Sequence, residues 1–242
     1  MADLQMSHPA SAFHRRGLAH AQRRQLDHAI QDFAHAIQID PQFALAYIDR
    51  GVAHAQRGDF RQALADLNQG LALAPHQPVA LLARGMVHVE LGAVEAALRD
   101  LTAAREASPQ DADICYQRGK LHLVRGDYAA AIADFSDAAN LHPPKARHHN
   151  QLAWLWSTHK DPRFRDGPKA LDHAGKACDL TEWKDAVVLD TLAAACAECG
   201  QYAEAVRWAE KALALAAPHL QPLIRGRLGL YRSGQPFREI GP

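Results

Sequence analysis

Little in this sequence speaks for catalysis, membranes or nucleic acid. No stretch approaches the roughly 18 consecutive apolar residues that a membrane-spanning helix needs. An excess of one charge sign is missing too. Lys+Arg and Asp+Glu both number 27, for a formal net charge of zero, which argues against a broad phosphate-binding footprint. Cysteines number only four, and the opening MADLQMSHPASAF has neither an apolar run nor a cleavage pattern for secretion. These absences point to a reducing compartment, free thiols and a cytoplasmic location. The chain also lacks a nucleophile elbow, a phosphate-cradling glycine loop, an H-E-x-x-H motif and a carboxylate pair with reason to titrate together. The expectation is a protein that is not an enzyme and carries no cofactor and no metal.

What the chain does have is a period. The frame Arg-Gly-x-x-His occurs at Arg16–His20, Arg50–His54, Arg84–His88 and Arg118–His122, every 34 residues. A 34-residue period is the length of one helix–turn–helix unit. With position 1 at Ala10, Ala44, Pro78 and Ala112, further columns align. Position 8 is Gly17, Gly51, Gly85 and Gly119, and position 20 is Ala29, Ala63, Ala97 and Ala131. Position 24 is Phe33, Leu67, Leu101 and Phe135, and position 27 is Ala36, Gly70, Ala104 and Ala138. Positions 4, 8 and 11 fall on one face of a first helix, and 20, 24 and 27 on one face of a second. Small residues at 8, 20 and 27 let the backbones approach, and the large residue at 24 fills the remaining space. Glycine at position 15 (Gly58, Gly92, Gly126) suits a left-handed helix end. Proline at position 32 (Pro41, Pro75, Pro109, Pro143) stops the second helix.

These columns resemble the tetratricopeptide repeat family, with arginine at position 7 where that family usually has an aliphatic residue. The resemblance implies an all-α fold, a right-handed α-solenoid of six antiparallel helix hairpins plus a C-terminal capping helix. The expected layout is a flexible stretch over 1–9 and four units at 10–43, 44–77, 78–111 and 112–145. A fifth, variant unit with a long inter-helix turn follows at 146–185, a sixth at 186–219, and a capping helix and tail over 220–242. In that last helix Leu223, Ile224 and Leu228 are expected to face the array, with Arg225, Arg227 and Arg232 outward.

Arginine and aspartate vary together inside this one chain. Position 23 is Asp32, Asp66, Asp100 and Asp134 wherever position 7 is Arg16, Arg50, Arg84 and Arg118. In the two altered units position 7 becomes Leu152 and Leu192, and position 23 becomes His173 and Trp208. That covariation predicts structural ion pairs, because an arginine fork matches a carboxylate. The histidines at position 11, where the family usually has tyrosine, are read as half-buried packing groups. Residues in one column are related by translation and do not converge on a metal. Cys196-x-x-Cys199 stands alone, so with Cys178 it is read as packing thiols, a metal or redox switch being the minor alternative. His148-His149 are expected to cap or solvate a helix start. The stretch around Arg163, Phe164 and Arg165 is read as a connector, with a contact loop as the alternative.

The family resemblance places a binding groove on the first helices, at positions 2, 5, 9, 12 and 13. Its candidate residues here are Leu45, Ile48, Val52, Leu82, Met86, Val89, Tyr116, Lys120, Leu123 and Trp154. The family's carboxylate-gripping residues are absent: His14, Leu18, Asp49, Val79 and Ala83 stand in their places. The expected function is a protein–protein interaction scaffold, binding an apolar or amphipathic segment of another protein or peptide, with no nucleic acid and no membrane insertion. Burial of these residues between neighbouring first helices is the packing alternative. Self-association stays open: a structural assembly subunit would fill the groove with its own tail or a second copy.

Overall fold

A computed structural model describes residues 9–239. The described residues form thirteen α-helices, one 3-10 turn and no strand. They are α1 (Pro9–Gln22), α2 (Leu26–Ile39), α3 (Ala44–Arg57), α4 (Phe60–Leu73), α5 (Pro78–Glu90), α6 (Val94–Ala107) and α7 (Ala112–Arg125). Then follow α8 (Tyr128–Asn140), α9 (Ala146–Thr158), the 3-10 turn Pro162–Phe164, α10 (Gly167–Leu180), α11 (Ala186–Glu198), α12 (Tyr202–Leu215) and α13 (Gln221–Arg232). The expected flexible stretch 1–9 lies outside the described residues except for Pro9, which already belongs to α1. The end of the expected tail, 240–242, lies outside them as well.

The chain divides into two compact units, Met1–Ile114 and Cys115–Pro242. In the first, α1 packs on α2, α3 on α4 and α5 on α6, and neighbouring hairpins meet through α2–α3 and α4–α5. The turns inside hairpins are too short for anything but antiparallel neighbours. Phe33 and Leu67 are buried completely, each over the glycine of its partner helix. A Cβ on Gly17 would lie 2.6 Å from the Phe33 ring, and one on Gly51 2.8 Å from Leu67. Each such large side chain contributes roughly 1.5–3 kcal/mol by leaving water. At Gly58 the left-handed φ of 90° ends α3, with Asp59 N–H returning to the His54 carbonyl at 2.9 Å. In the first repeat Arg24 takes that role at φ 59°, without glycine's freedom.

The second unit keeps the code and then changes it. Phe135 fills the space over Gly119, whose Cβ would stand 2.8 Å from its ring. From α9 onward alanines Ala174 and Ala209 replace the large residue, between the small Ala170, Ala177, Ala205 and Ala212, all of them buried. The first helices carry the bulk instead, through Leu152, Trp156, Leu189 and Leu192. The last helix, α13, packs on α12 through Ile224 and Leu228, while Tyr231 joins the same core. Leu223 is not part of this contact. It is 58% exposed, so the expectation that it faces the array is corrected.

Candidate functional site

The four arginine–aspartate pairs form one repeated arrangement. Nε and Nη2 of Arg16, Arg50, Arg84 and Arg118 donate to the two carboxylate oxygens of Asp32, Asp66, Asp100 and Asp134. The distances run from 2.5 to 2.8 Å. Each pair ties the two helices of its own hairpin, and each aspartate is buried. The position-11 histidines complete the cluster. Nε2 of His20, His54, His88 and His122 lies 3.7–3.9 Å from the same carboxylates. The Arg16 guanidinium, through its hydrogen bond and charge, holds Asp32 below the usual carboxylate range. With both carboxylate oxygens engaged by arginine, the row offers an incoming anion little free cation.

The candidate groove residues have different fates. Leu45 and Lys120 are exposed, and Val52, Leu82, Met86, Val89, Leu123 and Trp154 are half-buried. Ile48 is buried against α4, so its assignment to the groove is corrected. The reason is Gly70, the one glycine in an alanine column: a Cβ there would meet Ile48 Cγ1 at 2.6 Å. Tyr116 packs its ring 5.7 Å from Phe135 and 5.1 Å from buried His148, with Arg147 over its face.

In the first unit, Val52 and Met86 line a cleft of about 540 Å³ between α3 and α5. Ala55, Phe60, Ala83 and Val87 complete its apolar walls, and Gln56, Arg57 and Glu90 form its rim. Arg57 is held by Asp27, at 2.5 Å, and by Asp59. Neither Phe60 nor Val87 was singled out in the sequence. Phe60 stands at position 17 and Val87 at position 10, outside the columns read as groove.

The second unit presents a more polar face. Asp190 and Arg227 form a buried pair at 3.1 and 2.5 Å, joining α11 to α13. Arg227 therefore points inward, against the expectation of an outward side chain. Burial pushes Asp190 up from the usual carboxylate range, opposed by Arg227. The Arg227 guanidinium lies 5.3 Å from the Trp154 ring centre and 5.5 Å from that of Phe237. His148 and His149 are buried too, so the expectation that they cap or solvate is corrected. His148 Nδ1 meets the Ala138 carbonyl at 3.0 Å, and His149 Nδ1 meets His173 Nδ1 at 3.0 Å. Burial first, then the neighbouring positive charges, lowers His149 to about 4.

Burial dominates the surroundings of Cys178 and Cys196 and disfavours their thiolates. Burial pushes Cys178 up to about 12 and Cys196 to about 11, so both stay protonated at neutral pH. Among the described residues no group of three or more His, Cys, Asp or Glu side chains is placed to hold a metal ion. Among the same residues no helix is long and apolar enough to cross a membrane. In the connector, Phe164 packs on Tyr128 and His159, and Arg165 donates to Glu198 Oε1 at 3.0 Å.

Fold and site together define a class: antiparallel helix hairpins of 34-residue period, stacked through small-residue columns, with the first helices presenting a varied surface. Models of the tetratricopeptide repeat match residues 10–43, 48–112 and 82–146, more than half of the chain. The chain belongs to the tetratricopeptide repeat family. No curated protein sequence matches it. Among solved structures it is similar to a tetratricopeptide repeat protein from Parabacteroides merdae (TM-score 0.67, 17% identity, 93% of this chain and 88% of that one). It is similar to the Cut9–Hcn1 hetero-tetramer of the APC/C (TM-score 0.68, 19% identity), covering 93% of this chain but only 44% of that chain. It is also similar to YrrB, a TPR protein with an unusual peptide-binding site (TM-score 0.66, 18% identity, 80% of this chain and 97% of that one). At these identities the likeness is one of fold.

Proposed function

We propose that this chain is a non-catalytic protein-interaction scaffold, and that its α3–α5 cleft receives an apolar side chain from a partner segment. The observation that carries the reading is the cleft itself: an open apolar hollow of about 540 Å³ on a first-helix face. Open apolar surface of this kind marks binding sites on proteins otherwise covered by polar groups. Met86 suits such a wall, since its unbranched thioether adapts to varied ligands. The peptide site of YrrB and the assembly of Cut9 with Hcn1 show the same fold serving such roles in other proteins. The partner on this reading is another protein or peptide, met in the cytoplasm, without nucleic acid or membrane insertion.

The test is affinity capture from the native lysate with wild-type and Met86→Asp baits. The variant is expected to lose the captured partners while its far-UV circular dichroism and melting temperature stay at wild-type values. Retention of the same partners overturns the reading. A second reading, a first-helix face filled by the chain's own tail, is favoured by one observation in the second unit. There Phe237, Arg238 and Glu239 lie on α9 and α11.

A further inference from the structure

The segment after α13 is seated as a ligand would be. Gly234, at φ 69°, turns the chain, and Gln235 N–H closes the helix end on the Leu230 carbonyl at 3.0 Å. Residues 235–239 then run without helix across the end of α9. The Phe237 ring centre lies 5.8 Å from that of Trp154, under the Arg227 guanidinium. Arg238 Nη2 reaches Glu198 Oε2 at 2.5 Å, and its Nη1 donates to the Ser157 carbonyl at 3.1 Å. Glu239 N–H donates to the Thr158 carbonyl at 2.8 Å.

The last carbonyls of a helix have no partner within it. In α9 the Leu155 and Trp156 carbonyls take N–H groups from His159 and Asp166 of the connector. Those of Ser157 and Thr158 are taken by the segment. A helix C-terminus beside a glutamate is an acidic place, so it favours a guanidinium. No residue of the segment is fully buried; Phe237 and Arg238 are half-exposed. A part of the core would be buried, whereas an occupant of a surface site looks like this.

The site also extends beyond its occupant. Trp154 and Arg227 form one wall of an adjoining pocket of about 250 Å³, lined as well by Asn150, Gln151, Val187, Asp190 and Thr191. The Asn150 Oδ1 there is buried with no hydrogen-bond partner among the described residues. A buried acceptor left unpaired is costly, and it awaits a donor. The closing segment covers the Trp154 side of this surface and supplies nothing to Asn150.

We propose that the α9–α11–α13 face is a binding site for an extended segment carrying an aromatic–arginine pair, held in cis by Phe237–Arg238 and exchangeable for a partner segment of the same chemistry. The proposal rests on the reading that first-helix faces are binding surfaces, but it uses none of the α3–α5 cleft. A tethered occupant acts at an effective concentration of about a millimolar, so one with an intrinsic Kd of about 10–100 μM weakens a competing segment by roughly 10- to 100-fold. A partner binds when its donor at Asn150 adds to the same aromatic and arginine contacts.

The test uses the full chain and a fluorescein-labelled peptide with the sequence of Ser233–Glu239, read by anisotropy. The Phe237→Ala/Arg238→Ala double variant is expected to bind this peptide at least ten-fold more tightly than wild type. A peptide with both residues replaced by alanine is expected not to bind. Equal affinities for the two proteins, or binding indifferent to the peptide's Phe and Arg, overturn the proposal. Cooperative loss of helical signal in the double variant also overturns it, since the segment is then part of the fold. A Met86→Asp bait that keeps its partners bears on the α3–α5 cleft alone.

Discussion

Replacing one member of the Arg118–Asp134 pair should cost more than replacing both. The Asp134 side chain is 3% accessible and that of Arg118 17%, and two hydrogen bonds of 2.8 and 2.6 Å join them. Each charge-assisted bond is worth about 1.5–3 kcal/mol net. Asp134→Leu leaves a largely sheltered guanidinium without its carboxylate, and Arg118→Met takes both arginine hydrogen bonds from a buried carboxylate that has His122 at 3.7 Å. Each single change is therefore expected to cost about 3–5 kcal/mol. The double variant Arg118→Met/Asp134→Leu removes both charges and keeps the volume. It should lie at least about 2 kcal/mol above either single variant, because apolar replacement of a whole buried pair is close to neutral. The chain already holds a natural version, with Leu152 and Leu192 at the arginine position of two hairpins. The assay is urea unfolding followed by far-UV circular dichroism, with the slope checked for constancy. Amide exchange in α7 and α8 would localise the effect, since repeat arrays open in parts. Single losses below about 1 kcal/mol, or a double loss equal to the sum, would refute the reasoning. The Arg16–Asp32 pair should matter less, because the Arg16 side chain is 59% accessible.

Three further outcomes follow from other residues. Arg24→Gly should stabilise the chain by about 0.5–1 kcal/mol, the cost of a left-handed non-glycine residue less glycine's own entropy; a lower urea midpoint would refute it. Burial lowers His149 from 6.5 to about 4, so the folded form rejects a proton that the unfolded chain accepts. Its stabilising effect is therefore complete above pH 6.5 and lost as pH falls from there toward 4. His149→Leu should flatten the urea midpoint over that interval, and an unchanged slope would remove the argument. In the native protein at pH 8, iodoacetamide should modify half-exposed Cys199 first and leave Cys178 and Cys196 untouched until unfolding. Early labelling of Cys196, read by peptide mass, would contradict the burial argument.

The hairpins were legible because their packing is written in pairs of columns. Gly17 with Phe33 and Gly119 with Phe135 repeat the same small-against-large pairing, and the spacing of the members fixes which helix faces meet. The ion pairs were legible for a similar reason: the two residues change together within one chain. Ile48 was misjudged because a column average assumes that every repeat has the same neighbour. Gly70 opens a space that alanine closes elsewhere, and Ile48 fills it. The signal was there, as a glycine in a column of alanines. Asp190 also left a trace, a lone carboxylate in the apolar run AVVLDTLAAACA, yet its partner Arg227 sits 37 residues on, outside the period. The closing segment had no readable signal at all. Two of its contacts go to backbone carbonyls, which every residue carries, and its residues follow no helical spacing.

The columns that build the fold repeat, whereas positions 5 and 9 change from hairpin to hairpin. Position 5 runs His14, Ile48, Leu82, Tyr116, Asn150 and Asp190, and position 9 runs Leu18, Val52, Met86, Lys120, Trp154 and Ala194. In the first unit these columns are mostly apolar and border an apolar cleft. In the second they bring an amide, a buried ion pair and an indole together. One packing code thus supports two surfaces of unlike chemistry. A substitution at position 8, 20 or 24 acts through stability wherever it falls. Exchanging position 9 between units, as in Met86→Trp with Trp154→Met, should instead leave the hairpins folded and alter each face's choice of ligand. That separation follows from geometry: positions 8 and 9 are neighbours in sequence but stand about 100° apart around a helix, one against its partner helix and one on the face proposed to bind.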